Sequence, residues 1–118
     1  MSYRLEHVAI YCKDINDSIK FYERHFGGHP TAIRKGSAGY GFCFVTIDGS
    51  PSIQLMESAD KAGVHHYGFI SDDVEQTAKE FKEKGAQILR ENRESSGKLT
   101  TMFVQDPNGL EMEIRSAR

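Results

Sequence analysis

The sequence predicts an α+β protein in which one β-α-β-β-β module is written twice in tandem. Three observations predict it. Gln54 lies 47 residues after His7, and Glu113 lies 47 residues after His66. The segments His7-Val8-Ala9-Ile10 and His66-Tyr67-Gly68-Phe69 stand 59 residues apart, each followed by an acidic helix start, Asp14 and Asp73. At the same offset, with no gap, Lys20/Lys79, Arg34/Arg93, Ser37/Ser96, Phe44/Phe103 and Val45/Val104 are identical. A repeat fixes the architecture ahead of any local assignment.

The first module, about residues 3–57, opens with a strand over Leu5–Tyr11, bounded by Lys13-Asp14. Asp14 or Asn16 caps the helix that follows. Ile15, Ile19, Tyr22 and Phe26 fall on one face of that helix, and Gly27-Gly28 stops it. Three strands are then expected, at about His29–Arg34, Tyr40–Ile47 and Ser52–Glu57. Gly36–Gly39 and Asp48-Gly49-Ser50-Pro51 supply the turns. Ser58–Gly63 is short and polar and reads as a link. The second module, about 64–115, repeats the order: a strand over Val64–Ile70, then a helix capped by Asp73, with Val74, Ala78 and Phe81 on one face and Gly85 at its end. Strands follow at Ala86–Glu91, Leu99–Gln105 and Leu110–Arg115. Asn92–Lys98 is a loop, and Asp106-Pro107-Asn108-Gly109 is a strong turn.

The bulk numbers fit one domain, residues 1–118, with two halves. Hydrophobic residues are 38% and charged residues 27%, ordinary for a globular protein, and the net charge is −2 with both signs interspersed. The absence of a basic stripe argues against nucleic acid. No apolar run is long enough to span a bilayer, and the first residues lack the apolar stretch of a signal peptide. Cys12 and Cys43 have no zinc-type spacing and read as reduced thiols, so a cytoplasmic protein acting on a small molecule is expected.

Side chains alternate across a strand. Placing Val8/Ile10, Ile53/Leu55, Tyr67/Phe69 and Met112/Ile114 under the helices turns His7, Gln54, His66 and Glu113 to the opposite, concave side. Ala9 and Gly68 are small and leave room there. Two imidazoles, an amide oxygen and a carboxylate suit one divalent first-row metal, with coordination positions left for water or substrate. Two other carboxylates remain alternatives. Glu57 falls on the helix-covered face and out of repeat register, and Glu111 shares the right face but comes two residues early. His25, His29 and His65 read as solvent-facing or capping residues.

Leu5 to Ile10, Asp14 to Phe26 with Phe21-Tyr22, His66 to Ile70, and Asp106-Pro107-Asn108-Gly109-Leu110-Glu111-Met112-Glu113-Ile114 together resemble the vicinal-oxygen-chelate superfamily. This superfamily of glyoxalase, bleomycin-resistance and dioxygenase proteins is resembled along essentially the whole chain. The resemblance implies paired modules forming a cup-shaped, barrel-like mixed sheet with helices outside. It also implies that His7, Gln54, His66 and Glu113 occupy the four ligand positions for Zn, Ni, Co, Fe or Mn. The His, Gln, His, Glu pattern is most similar to glyoxalase I and methylmalonyl-CoA epimerase.

Both of those enzymes remove a proton next to a carbonyl, and a metal acting as a Lewis acid stabilises the resulting enediolate. The implied function is a metal-dependent lyase or isomerase, with Glu113 as base, Glu111 as the fallback base, and a thiol such as glutathione as a candidate cofactor. Neutral Gln54 leaves the site one charge more positive than a glutamate would. Tyr11, Phe42, Met56, Thr101 and Arg115 are expected to line the cup, with Arg93 or Arg115 holding a substrate carboxylate. The contrasting readings are a drug-binding resistance protein of the same fold and a thiol transferase of the fosfomycin-resistance type. Exposed strand edges point to a homodimer, with sites built within one chain or shared between two.

Overall fold

The computed structural model describes residues 2–36 and 39–117. It shows an α+β chain in the order β1 (Tyr3–Cys12), α1 (Ile15–Phe26), β2 (His29–Pro30), β3 (Arg34–Lys35), β4 (Gly41–Thr46), β5 (Ser52–Glu57), β6 (Val64–Ser71), α2 (Val74–Glu83), β7 (Gln87–Arg93), β8 (Leu99–Gln105) and β9 (Glu111–Arg115). Two compact units divide it. One is His7–His65; the other joins the residues up to Glu6 to those from His66 onward. The start of β1 therefore belongs with the second module. Its Tyr3 ring lies 6.2 Å from that of Phe81, and the Thr77 hydroxyl, itself 2.7 Å from that of Ser71, donates to the Tyr3 oxygen at 3.4 Å.

In the His7–His65 unit the strand order is β2-β4-β5-β1, with β3 also paired to β4. β1 and β5 run parallel, and the other pairs are antiparallel. Asp14 caps α1 by accepting from the N–H groups of Asn16 at 3.0 Å and Asp17 at 3.2 Å. Gly27, at φ 64°, ends the helix in the left-handed region that glycine enters without steric cost. Gly28 is needed for a different reason, because a Cβ there would sit 2.6 Å from Cγ1 of Val45. The helix packs Ile15, Ile19 and Tyr22 onto Cys43, Val45, Leu55 and their neighbours.

The second unit repeats this plan as β6-β9-β8-β7, with β6 and β9 parallel and the rest antiparallel. Asp73 caps α2 by accepting from the Gln76 N–H at 3.1 Å. Val74 and Ala78 close over Leu99, Met102, Val104 and Ile114, with Phe69, Phe81, Ile88 and Met112 around them. The Asp106 carboxylate accepts from the N–H groups of Asn108 at 2.9 Å and Leu110 at 2.7 Å, which shapes the turn into β9.

Two elements differ from expectation. The strand expected over His29–Arg34 is broken into β2 and β3. Pro30 has no N–H to give the ladder, and the Phe44 N–H donates to the Thr31 hydroxyl at 3.0 Å instead of to a carbonyl. β7 runs on to Arg93, and its connection to β8 is a tight turn in which the Glu94 N–H donates to the Lys98 carbonyl at 2.9 Å. Ser37 and Ala38, within the expected Gly36–Gly39 turn, lie outside the described residues.

Candidate functional site

The duplication holds strand by strand. Gln54 stands opposite Ala9 on its parallel neighbour and opposite Phe44 on its antiparallel one. Glu113 stands opposite Gly68 and Phe103 in the same way. His7 and Gln54 thus share the face of their sheet away from α1, with Tyr11, Phe42, Phe44 and Met56. His66 and Glu113 share the face away from α2, with Glu111, Arg115, Thr101 and Phe103.

In the second module, His66 Nε2 lies 3.3 Å from Glu113 Oε2, and both side chains are largely removed from solvent. Donors bonded to one ion at about 2.0–2.2 Å stand roughly 3.0–3.5 Å apart in octahedral or tetrahedral geometry, so this pair fits a divalent metal as built. Glu111 is directly across from His66 in register, but its carboxylate is taken by Arg90 at 2.9 Å. The Arg90 guanidinium in turn lies 3.8 Å over the Phe103 ring. Glu111 thus closes an ion pair with Arg90, and Glu113 Oε2 stands beside the His66 imidazole. In the first module, His7 is 1% exposed, its ring meeting Phe44 edge-on at 5.7 Å. Gln54 is half-buried. The Glu57 carboxylate accepts from the Ile15 N–H at 3.5 Å, on the helix side.

The residues expected to bind substrate divide into three sets. Tyr11 and Met56 line one cavity of about 260 Å³ together with Tyr40, Glu57, Ser58, Lys61 and His65. Phe42 and Thr101 are half-buried on the faces that carry the donors. The two arginines expected to take a substrate carboxylate have carboxylates of their own. Arg93 pairs with Glu75 of α2 at 2.8 Å and donates to the Gly97 carbonyl at 2.9 Å, which turns it to the helix side. Arg115 is 6% exposed and pairs with Glu6. Lys61 and Ser58 were not legible as cavity residues because they lie in the link, outside the repeated pattern, and Tyr40, expected to open a strand, directly precedes β4. His65, expected to face solvent, packs edge-on against Tyr11 at 5.3 Å. Burial pushes the Cys12 thiol up, against a lowering hydrogen bond with Ser18, and burial likewise raises Cys43. Both thiols pack beside α1. Among the described residues no helix is long and apolar enough to cross a membrane.

Solved structures share this fold. A hypothetical protein from Bacillus halodurans superposes with a TM-score of 0.80 over 100% of this chain and 96% of its own, at 21% identity. Methylmalonyl-CoA epimerase from Mycobacterium tuberculosis superposes with a TM-score of 0.78, covering 97% and 87% at 19% identity. In sequence, a probable chloroplastic lactoylglutathione lyase of Arabidopsis thaliana is 30% identical over 94% of this chain. The chain spans 35% of that relative's length. A family model describing the Glyoxalase/Bleomycin resistance protein/Dioxygenase superfamily matches residues 4–114, which include every donor discussed above, and the chain belongs to that superfamily.

Proposed function

We propose that the protein is a metal-dependent lyase or isomerase of the glyoxalase type, acting on a small substrate with vicinal oxygens. The observation that carries this reading is the His66–Glu113 pair at 3.3 Å, matched in register by Gln54 and preceded at the same offset by His7. His7, Gln54, His66 and Glu113 would hold the ion, whether the four come from one chain or from two chains of a homodimer. A bound divalent ion supplies Lewis acidity that lowers the cost of negative charge on the substrate oxygens.

The remaining chemistry belongs to the chain. Glu113 accepts the proton from the carbon beside the carbonyl, and the C–H electron pair moves toward the carbonyl oxygen. The carboxyl so formed returns the proton to the neighbouring carbon, which isomerises the substrate; epimerisation would require a second acid to deliver a proton to the opposite face of the original carbon. Phe103 and Phe44, opposite the two donors on the antiparallel strands, limit water at the carboxylate and the amide. Arg90 keeps Glu111 occupied, so a single carboxylate of β9 is available as base. The name of the plant relative supports a thiol adduct of a 2-oxoaldehyde as substrate, with glutathione as the thiol. The names of the epimerases of like fold support an acyl thioester.

The test is a screen of metal-loaded protein against methylglyoxal–glutathione adduct, methylmalonyl-CoA and fosfomycin. Turnover of either of the first two is expected. Turnover of fosfomycin alone, or tight binding of a drug without turnover, would contradict the reading.

A further inference from the structure

The connection between the modules does more than link them. The Tyr11 N–H donates to the Gly63 carbonyl at 2.9 Å, and the Ser58 N–H donates to the Cys12 carbonyl at 2.8 Å, which pins both ends of the segment to the end of β1. Inside it, the Ser58 hydroxyl accepts from the Lys61 N–H at 3.1 Å and donates to Asp60 Oδ1 at 3.1 Å. The held loop places the Lys61 ammonium 5.7 Å from the centre of the Tyr11 ring. Tyr11 is thereby fixed between Lys61 and the edge of His65, and the cavity of about 260 Å³ opens beside them.

Among the residues lining this cavity, Lys61 is the one lysine or arginine. Arg90, Arg93 and Arg115 are neutralised by Glu111, Glu75 and Glu6. Lys61 makes no ion pair among the described residues, and its ammonium stands over the Tyr11 ring. Glu57 also lines the cavity, but its carboxylate faces the N-terminus of α1, where the helix dipole takes up part of its charge. The cavity is lined by the Lys61 ammonium and the Ser58 and His65 side chains, against walls of two tyrosines and a methionine.

We propose that this cavity recognises the anionic end of the substrate, a carboxylate or phosphate on an apolar or aromatic stem. Lys61 is its charge contact, and Tyr11, Tyr40 and Met56 hold the stem. For the reaction itself this rests on the reading above. The recognition lies wholly within the His7–His65 unit and does not require metal. The duplicated strands supply the donors of the reaction, and the unduplicated link supplies the choice of substrate.

The test is calorimetric titration of the full chain, freed of metal by chelator, with 3-phenylpropionate, phenyl phosphate and the uncharged 3-phenylpropionamide. Both anions are expected to bind more tightly than the amide, and the tighter of the two identifies the natural group. Lys61→Met keeps the apolar stem over Tyr11 and should weaken the anions about two- to fivefold, the scale of an exposed ion pair, with the amide unchanged. Lys61→Arg should restore anion binding. Equal affinity for amide and anions, no binding of any probe, or anion affinity unaffected by Lys61→Met would each overturn the proposal. Because no metal is present, failure of the metal-dependent reading would leave these results unchanged.

Discussion

His66 Nε2 and Glu113 Oε2 stand 3.3 Å apart on neighbouring parallel strands, although Glu111, not Glu113, is the residue directly across from His66. Arg90 accounts for the difference, since it draws the Glu111 carboxylate toward β7 while stacking on Phe103. Two carboxylates on one face of one strand are thus sorted by a single guanidinium. The two carboxylates are distinguished by their partners, not by their position in the sequence.

Glu113→Gln keeps the size and an oxygen donor but removes the proton acceptor. Turnover on an identified substrate should fall by at least about a hundredfold, the scale of a lost general base. Glu111→Gln should fall by far less. Steady-state kinetics of both variants on one substrate checks this, and the reverse ranking would reassign the base.

Arg115→Met should destabilise the fold by about 2–3 kcal/mol. This is below the usual cost of breaking a fully buried pair, because Glu6 retains contact with solvent. Adding Glu6→Gln should recover part of the loss, since the charge that faced Arg115 is then removed. Urea denaturation of the two single variants and the double variant reads the coupling directly.

Gly28→Ala should cost about 1–3 kcal/mol, because the new methyl meets Val45 Cγ1 in the core beside the end of α1. Gly27→Ala should also destabilise, through its left-handed backbone and without any clash. Adding Val45→Ala should therefore relieve the first variant and not the second in thermal melts.

Mixing inactive His7→Ala with inactive His66→Ala chains tests where the sites are built. In a homodimer with shared sites, one site of the mixed dimer carries both defects and the other is intact, so activity returns after subunit exchange. With sites built within single chains, mixing restores nothing. A monomer by sedimentation would remove the dimer altogether.

Sequence pattern made the modules readable because the 59-residue offset carries strand register as well as composition. Ala9 opposite Gln54 and Gly68 opposite Glu113 are one arrangement used twice. The helix caps were readable because Asp14 and Asp73 act within three residues of themselves. What sequence hid depends on distant partners. Arg93 and Arg115 look like substrate anchors until Glu75 and Glu6 are placed beside them. The break after Pro30 depends on one hydroxyl reaching across to β4. Ser58–Gly63 looks like a simple link until Lys61 is set over Tyr11.

The central claim is that one divalent ion is held by His7, Gln54, His66 and Glu113. Calorimetric titration of Zn²⁺ or Co²⁺ into chelator-stripped protein tests it most directly. The account predicts one ion per chain in the wild type, strong loss of affinity in His7→Ala, His66→Ala and Glu113→Ala with the fold retained, and near wild-type affinity in Glu111→Ala. Full metal retention by His66→Ala, or loss in Glu111→Ala with retention in Glu113→Ala, would contradict it.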